Sequence, residues 1–346
     1  NNAMKIKIYI FLIVTMFFCL YFLSCEDPSE PTNQIEPGRR DYIWEEDTLD
    51  VPLHEYVIFR DMVGNSPDDI WLGNLDPGLW YYNGVNWEIA EFPGVIPSAL
   101  WLFEDNRMWV GTKEKLLLKR DNGTWTDKYF LTHEDKDIIN IYGMYGKEKN
   151  DILAVGIERK IIVPGKEDIS KGIILHYDGS EWKFMDFPEL YETGLHYISY
   201  QENIDTYFIW GMKIENGVIL DKLFTYDGKN LSEILSTSGS ISLSMLNGIV
   251  YINNNFEVYK YSNKKLVLWK DFSGTEFRSN FVGRSQNDFF NNSIKGIGHY
   301  NGIDYKTIYP THLELYTRIV FEREIFVTAL DSDNKHYIII HGTLID

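Results

Sequence analysis

The chain has 346 residues and a formal net charge of −18. That field repels nucleic acid and anionic headgroups, so a nucleic-acid partner is excluded. Hydrophobic residues make up 44% and aromatic residues 15% of the chain, with 23 Tyr and 20 Phe. These favour strands, and no long Ala/Leu-rich amphipathic stretch competes with them, so the expected class is all-β.

In chain order, Asn1–Ala3 read as a vector-derived remnant, or an upstream start, before Met4. "MKIKIYIFLIVTMFFCLYFLSC" follows, with Lys5 and Lys7 as a basic start, an uncharged apolar run from Ile8 to Leu23, and Ser24 before Cys25. The run is shorter than the roughly 20 residues a membrane span needs, and it fits a secretory leader. "FLSC" resembles a lipobox, although Phe22 stands where Leu is usual. The resemblance implies cleavage before Cys25 and lipidation of that residue, hence an outer-membrane lipoprotein; an uncleaved N-terminal anchor is the alternative. Residues 1–24 are thus read as remnant plus leader.

Cleavage would remove Cys19 and leave one cysteine, so no disulfide, zinc cluster or thiol nucleophile is expected in the mature chain. Loss of Lys5 and Lys7 would leave 31 basic against 51 acidic residues, a charge of −20. Residues 25–41, "CEDPSEPTNQIEPGRRD", carry prolines and acids without apolar periodicity and read as a flexible tether. Glu26-Asp27 directly after the cysteine resembles the surface-export signal of Bacteroidetes lipoproteins.

From residue 42 to 346 the chain repeats itself. "GLWYYNGVNWEIAEFPG", "GIILHYDGSEWKFMDFP" and "GIGHYNGIDYKTIYP" are copies of one unit. Tyr-Asx-Gly recurs at Tyr82-Asn83-Gly84, Tyr177-Asp178-Gly179, Tyr226-Asp227-Gly228 and Tyr300-Asn301-Gly302, with a variant at Asp121-Asn122-Gly123 and a degraded copy at Tyr261-Ser262-Asn263. Asx-Gly predicts type I′ hairpin turns. The aromatics that follow, Trp87, Trp125, Trp182 and Tyr305, are expected to pack between sheets. A second-strand pattern of the type "DDIWLG" or "NDILAVG" occurs seven times, and Asp69, Asp151 and Asp288 at its start are expected to cap turn amides.

Only six fourth strands follow those seven second strands. "YIWEEDTLDVP", residues 42–52, supplies the missing one, with Trp44 and Pro52 in the places of Trp87 and Pro93. The period is about 43 residues, the length of a four-stranded propeller blade. The expectation is a seven-bladed β-propeller closed by its N-terminal strand; six blades is the alternative, if the loose copy at 240–272 is not a blade.

"IPSALWLFEDNRMWVGTKEKLLLKRDNGTW", residues 96–125, resembles the periplasmic propeller repeats of bacterial two-component regulators. "NDILAVG…GIILHYDGSEW" resembles repeats of secreted bacterial propellers, including those related to photosystem II assembly factors. The resemblance implies the seven-bladed fold and leaves the function open.

No catalytic motif stands out. The eight arginines from Arg60 to Arg323 show no sialidase-like triad spacing, the histidines lack metal-ligand spacing, and there is neither a Walker loop nor a Rossmann fingerprint, so no cofactor or metal is expected. His176, His299 and His341 follow the blade repeat and read as structural. A lyase or glycosidase would draw Arg, His, Tyr and acids from different blades into the central funnel, where spacing cannot reveal them.

What distinguishes the blades is loop length. "ERKIIVPGKEDISK" (158–171), "MKIENGVILDK" (212–222) and "PELYETG" (188–194) are longer than the fold requires and fall on one face. Arg159, Lys160, Lys166 and Lys213 would place positive charge there, and Tyr191 an exposed ring. The function these features suggest is a non-catalytic binding or scaffold lipoprotein that docks a protein partner or a glycan through that face. The alternative is a polysaccharide-active enzyme working in the funnel.

Overall fold

The computed structural model describes residues 37–49, 59–74, 78–93, 96–119, 124–133, 136–161, 169–333 and 336–346. Cys25, Lys166, Pro52 and Asp121-Asn122-Gly123 lie outside them.

Twenty-eight strands form seven antiparallel four-stranded sheets. Blade 1 holds β2 (Phe59–Ser66), β3 (Asp69–Asn74), β4 (Leu79–Tyr82) and β5 (Trp87–Ala90). Blade 2 holds β6 (Ala99–Leu102), β7 (Met108–Gly111), β8 (Lys115–Lys119) and β9 (Trp125–Phe130). Blade 3 holds β10 (Ile138–Glu148), β11 (Asp151–Lys160), β12 (Ile169–Tyr177) and β13 (Trp182–Met185). Blade 4 holds β14 (Thr193–Gln201), β15 (Thr206–Glu215), β16 (Val218–Tyr226) and β17 (Leu231–Thr237). Blade 5 holds β18 (Ile241–Leu246), β19 (Ile249–Asn254), β20 (Glu257–Ser262) and β21 (Lys265–Asp271), so the loose copy at 240–272 is a full blade. Blade 6 holds β22 (Phe277–Ser285), β23 (Asp288–Ser293), β24 (Gly296–Tyr300) and β25 (Tyr305–Pro310).

Blade 7 is made from both ends of the chain. β26 (Glu314–Val320), β27 (Glu324–Asp331) and β28 (His336–Leu344) are joined by β1 (Tyr42–Leu49), which pairs antiparallel with β28 from Tyr42↔Leu344 to Leu49↔Tyr337. The seven-bladed propeller closed by its N-terminal strand is therefore the fold. Closure leaves no open ring edge between the first and last blades, and the ring cannot open without breaking this ladder. Trp44 packs on Tyr309 with ring centroids 4.9 Å apart, which is the role its repeat position predicts. Just upstream, Arg40 donates to the His299 carbonyl (3.0 Å) and pairs with Asp304 (2.6 Å).

Each pair of neighbouring blades encloses one apolar cluster, and there are seven such clusters. The post-turn aromatics sit in or against them, as expected: Trp182 meets Trp109 edge-on at 5.3 Å, and Tyr305 meets Phe277 at 5.7 Å. Between blades 5 and 6 the filling is mostly phenylalanine, with Phe272 stacked on Phe277 and Phe281 on Phe289 at 4.3 Å. Such pairs add about 0.5–1.5 kcal/mol each beyond the area they bury.

Two local expectations are corrected. The Tyr-Asx-Gly turns are not type I′: Gly84, Gly179, Gly228 and Gly302 have positive φ, but the preceding Asx residues do not. Each Asx side chain instead accepts the amides two and three residues on, as Asp178 Oδ1 does from Ser180 (3.0 Å) and Glu181 (3.1 Å). The side chain does the work of a second left-handed residue, which gives a four-residue loop rather than a two-residue one. Two consecutive left-handed residues occur at Asn216-Gly217, Asn247-Gly248 and Asn263-Lys264.

The second correction concerns the acids at the second-strand starts, which hold side chains rather than turn amides. Asp151 pairs with His176 (2.8 Å), Asp288 with His299 (2.7 Å) and Glu324 with His341 (2.7 Å). Asp69 accepts from the Trp71 indole (3.1 Å). The histidines are structural, each tying a third strand to a second.

Candidate binding site at the channel mouth

In an antiparallel blade the start of the first strand, the end of the second and the start of the third lie at one end. In blade 3 these are Ile138, Arg159 and Ser170; in blade 4 they are Thr193, Lys213 and Leu220. The long second-to-third connections of both blades therefore emerge on the face where the inner strands begin. The inner strands line the central channel, so this face is also one mouth of that channel.

The inner strands of five blades break their pairing with the second strand near this mouth, and in blades 1, 3 and 4 the break is a single residue. The register jumps between Phe59 and Asp61, Ile141 and Gly143, and Leu195 and Tyr197. Each jump leaves one residue unpaired: Arg60, Tyr142 and His196. A bulge re-aims its extra residue, and here it aims three of them at each other. The Arg60 guanidinium lies 4.6 Å from the centre of the Tyr142 ring, and that ring stacks on His196 at 5.1 Å with 10° between planes. His196 in turn lies 5.4 Å from Trp210. Arg60 belongs to blade 1 and Tyr142 to blade 3, so they meet across blade 2, inside the channel.

The electrostatics match that location. Burial lowers the Arg60 guanidinium pKa from its usual value. Among the described residues no hydrogen-bond acceptor meets the Arg60 side chain; the Tyr142 ring is its direct contact, and the Asp61 carboxylate next to it in the strand acts on it through charge alone. Burial first, and then the charges of Arg60 and Arg159, hold His196 down to about 4, so it is neutral at physiological pH. Asp61 is pushed up to about 6 by burial, against the opposing effect of the Leu100 and Met62 amides. Its Oδ2 accepts from Leu100 N at 2.8 Å, which staples blade 1 to blade 2. Tyr197 is 42% exposed, yet its phenol is pushed up to about 12, chiefly by burial. Both hold for a side chain facing solvent inside a wall of protein.

Sequence reasoning missed this group, although a signal existed. Alternation puts buried residues two apart in a strand, whereas Phe59/Met62, Ile141/Met144 and Leu195/Ile198 are buried pairs three apart. Each pair brackets one of the bulges.

The predicted site residues lie on the surrounding rim. Arg159 is exposed at the end of β11, with no side-chain acceptor among the described residues, and Lys160 next to it is half-buried. Tyr191 is exposed and bridges Lys171, which pairs with Glu158. The Glu192 amide bonds to Ser170 and Ser170 pairs with Arg159, so one ladder joins Tyr191 to Arg159. Lys213 is half-buried beside Glu215 at 3.5 Å, and Lys222 shares that carboxylate at 3.4 Å, so the positive charge expected at Lys213 is largely neutralised. The tip of the β15–β16 hairpin is apolar: Ile214 and Ile219 face each other and are 65% and 60% exposed.

Other features of the surface are less well built. A cleft of about 210 Å³ on the opposite face, between blades 2 and 3, has its two cations Arg107 and Lys149 bound to Asp105. Among the described residues one group brings metal-type ligands together, His312, Asp331 and Asp333, within 4.8 Å of one another. It is partly or fully exposed, and Asp331 already accepts the Asp333 amide in an ordinary Asx turn.

No protein-family model and no curated protein matches the chain. Solved structures do match in shape. A structure described as YCF48 bound to D1 peptide has a TM-score of 0.59 at 12% identity, covering 92% of this chain and 100% of that one. BBS1N in complex with ARL6DN gives 0.55 at 13%, covering 89% and 98%. An oligogalacturonate lyase in complex with manganese gives 0.56 at 10%, covering 90% and 99%. At these identities the likeness is one of fold.

Proposed function

We propose that this chain is an exported, lipid-anchored binding protein of the outer membrane that docks a protein partner on the loop-bearing face of its propeller. The anchor reading rests on the basic start, the apolar run and the "FLSC" box, with Cys25 as the lipidated residue and the acidic segment after it as tether. Labelling with a clickable fatty acid tests it: wild type takes label and Cys25→Ala does not.

The docking reading is carried by the rim. Ile214 and Ile219 expose apolar surface at a hairpin tip, where burial against a partner would be favourable. Tyr191 and Arg159 extend the same side of the rim. Propellers of similar fold are described with a bound peptide or protein partner, which is consistent with this reading. Capture of the full-length protein from its native membrane, against a variant lacking residues 160–170 and an Ile214→Ser/Ile219→Ser variant, tests the face. Loss of one specific partner in both variants supports the reading; equal recovery from all three overturns it.

A second reading, a polysaccharide-active enzyme, draws on the convergence of Arg60, Asp61, Tyr142 and His196. Neutral His196 has the protonation state a general base needs, and Arg60 is placed to hold a uronate carboxylate. Turnover of a uronate polymer, abolished by His196→Ala, would establish it.

A further inference from the structure

We propose that the bulge cluster at the channel mouth is a carboxylate-binding subsite, and that its natural occupant is an acidic peptide segment of the docked partner. Arg60 carries the argument. It is a half-buried guanidinium with five N–H donors and, among the described residues, no acceptor for any of them. A guanidinium in that setting costs solvation energy unless an anion completes it. It already lies 4.6 Å from the centre of the Tyr142 ring, a contact that restricts it before any ligand binds.

Asp61 apart, the neighbouring charges favour an anion. Arg159, on the same mouth, also meets no acceptor among the described residues, and its charge reaches His196. His196 is neutral and adds no competing anion. Asp61, the nearby carboxylate, attracts Arg60 through its charge but accepts the Leu100 and Met62 amides, and it makes no hydrogen bond to the Arg60 N–H groups. The contrast with Arg318, buried in the inner strand of blade 7, is instructive. Its Nη1 donates to Asn292 (2.6 Å) and its Nη2 to Asn280 (2.9 Å), so it is a structural cation. Arg60 has no such partners.

The aromatic geometry selects peptide over sugar. A pyranose-binding site offers a free ring face for the sugar's C–H edges. The Tyr142 ring already has Arg60 over it and His196 stacked on it, and His196 is flanked by Trp210. The guanidinium donors that meet no acceptor among the described residues fit the two oxygens of a Glu, Asp or terminal carboxylate.

This subsite rests on the docking reading for the molecule that presents the carboxylate, but it can be tested apart from it. The probe is a fluorescein-labelled decapeptide rich in Glu, followed by anisotropy on the full-length protein in detergent. Its controls are the same peptide with Gln for Glu, and a galacturonate oligomer of equal charge used as competitor. The expected result is saturable binding of the Glu peptide, weakened at least about tenfold by Arg60→Gln. Arg60→Lys should weaken it less, and Tyr142→Phe, which keeps the stack, should leave it unchanged. The Gln peptide and the galacturonate oligomer should fail to compete. Circular-dichroism melts of each variant confirm that the propeller is intact.

Equal affinity of wild type and a folded Arg60→Gln variant overturns the subsite, as does stronger binding of the galacturonate oligomer. Ile214→Ser/Ile219→Ser separates the two ideas. If it abolishes partner capture and spares Glu-peptide binding, both stand. If the Glu peptide never binds while capture persists, the subsite falls and the docking face remains.

Discussion

The guanidinium of Arg60 lies 4.6 Å above the ring of Tyr142, although the two residues are 82 positions and two blades apart. Only the central channel brings them together, and only a bulge in each inner strand turns them toward it. A contact of this kind contributes about 0.5–2 kcal/mol, while desolvation of the guanidinium opposes it. Arg60→Gln is therefore expected to shift stability by no more than about 1 kcal/mol in either direction. Urea melts check this, and a large loss would mean that Arg60 is a structural strut.

Asp61 and His196 should give opposing pH dependences. Asp61 has its pKa raised to about 6 in the fold. Its contribution to stability is fully present below its unfolded value and is lost as pH rises through 6. His196 is depressed to about 4. Its contribution is present above its unfolded value near 6.5 and is lost as pH falls through 4. Between pH 4 and 6.5 the two nearly offset. Relative to wild type, Asp61→Asn should lose stability more steeply on acidification and His196→Gln less steeply. Each difference should amount to at most about 3 kcal/mol. Melts at pH 7.5 and 5 measure both signs.

Ring closure depends on a close fit at the last blade. A Cβ placed on Gly342 would come within 2.6 Å of the Trp44 ring, and Gly342 is the residue that pairs with Trp44. Gly342→Ala should displace the indole and loosen β1. Trp44→Ala, at a half-buried position, should cost about 2–3 kcal/mol. Deleting residues 42–49 should abolish the cooperative transition, because blade 7 then loses its outer strand.

The acid–histidine pairs should differ in weight with burial. His299 is fully buried, receives a hydrogen bond from Arg40 Nε on its Nδ1 (3.2 Å), and so donates from Nε2 to Asp288. Asp288 also pairs with Arg284 at 3.0 Å. Asp288→Asn should cost about 3 kcal/mol, since it leaves a partly buried guanidinium and a buried imidazole short of their anion. The matching pair Asp151–His176 is more exposed on both sides, and Asp151→Asn should cost less than about 1 kcal/mol.

The blades were legible because each one repeats a turn, an aromatic and a strand pattern that local chemistry demands. Even the closing strand could be identified, since Trp44 repeats the role of Trp87. The turn type was misread because Asx-Gly satisfies two geometries: the Asp178 side chain, by accepting two amides, makes a four-residue loop from the dipeptide that elsewhere makes a two-residue one. The channel cluster was illegible as chemistry. Arg60, Tyr142 and His196 come from three blades, and no spacing links them. Only the slip from two to three between buried neighbours marks the bulges. The rim loops were visible through their length, but the sequence could not show that Glu215 neutralises Lys213, or that Ile214 and Ile219 stand out into solvent.

Site-specific photo-crosslinking in the native membrane tests the docking face most directly. A photoreactive aromatic is placed at Ile214, and separately at Ile303, which is 72% exposed in a third-to-fourth-strand turn on the opposite face. The account predicts one discrete protein adduct from position 214 and none from 303. An adduct from 303 alone, or a peptidoglycan or polysaccharide smear from 214 in place of a protein band, would contradict it.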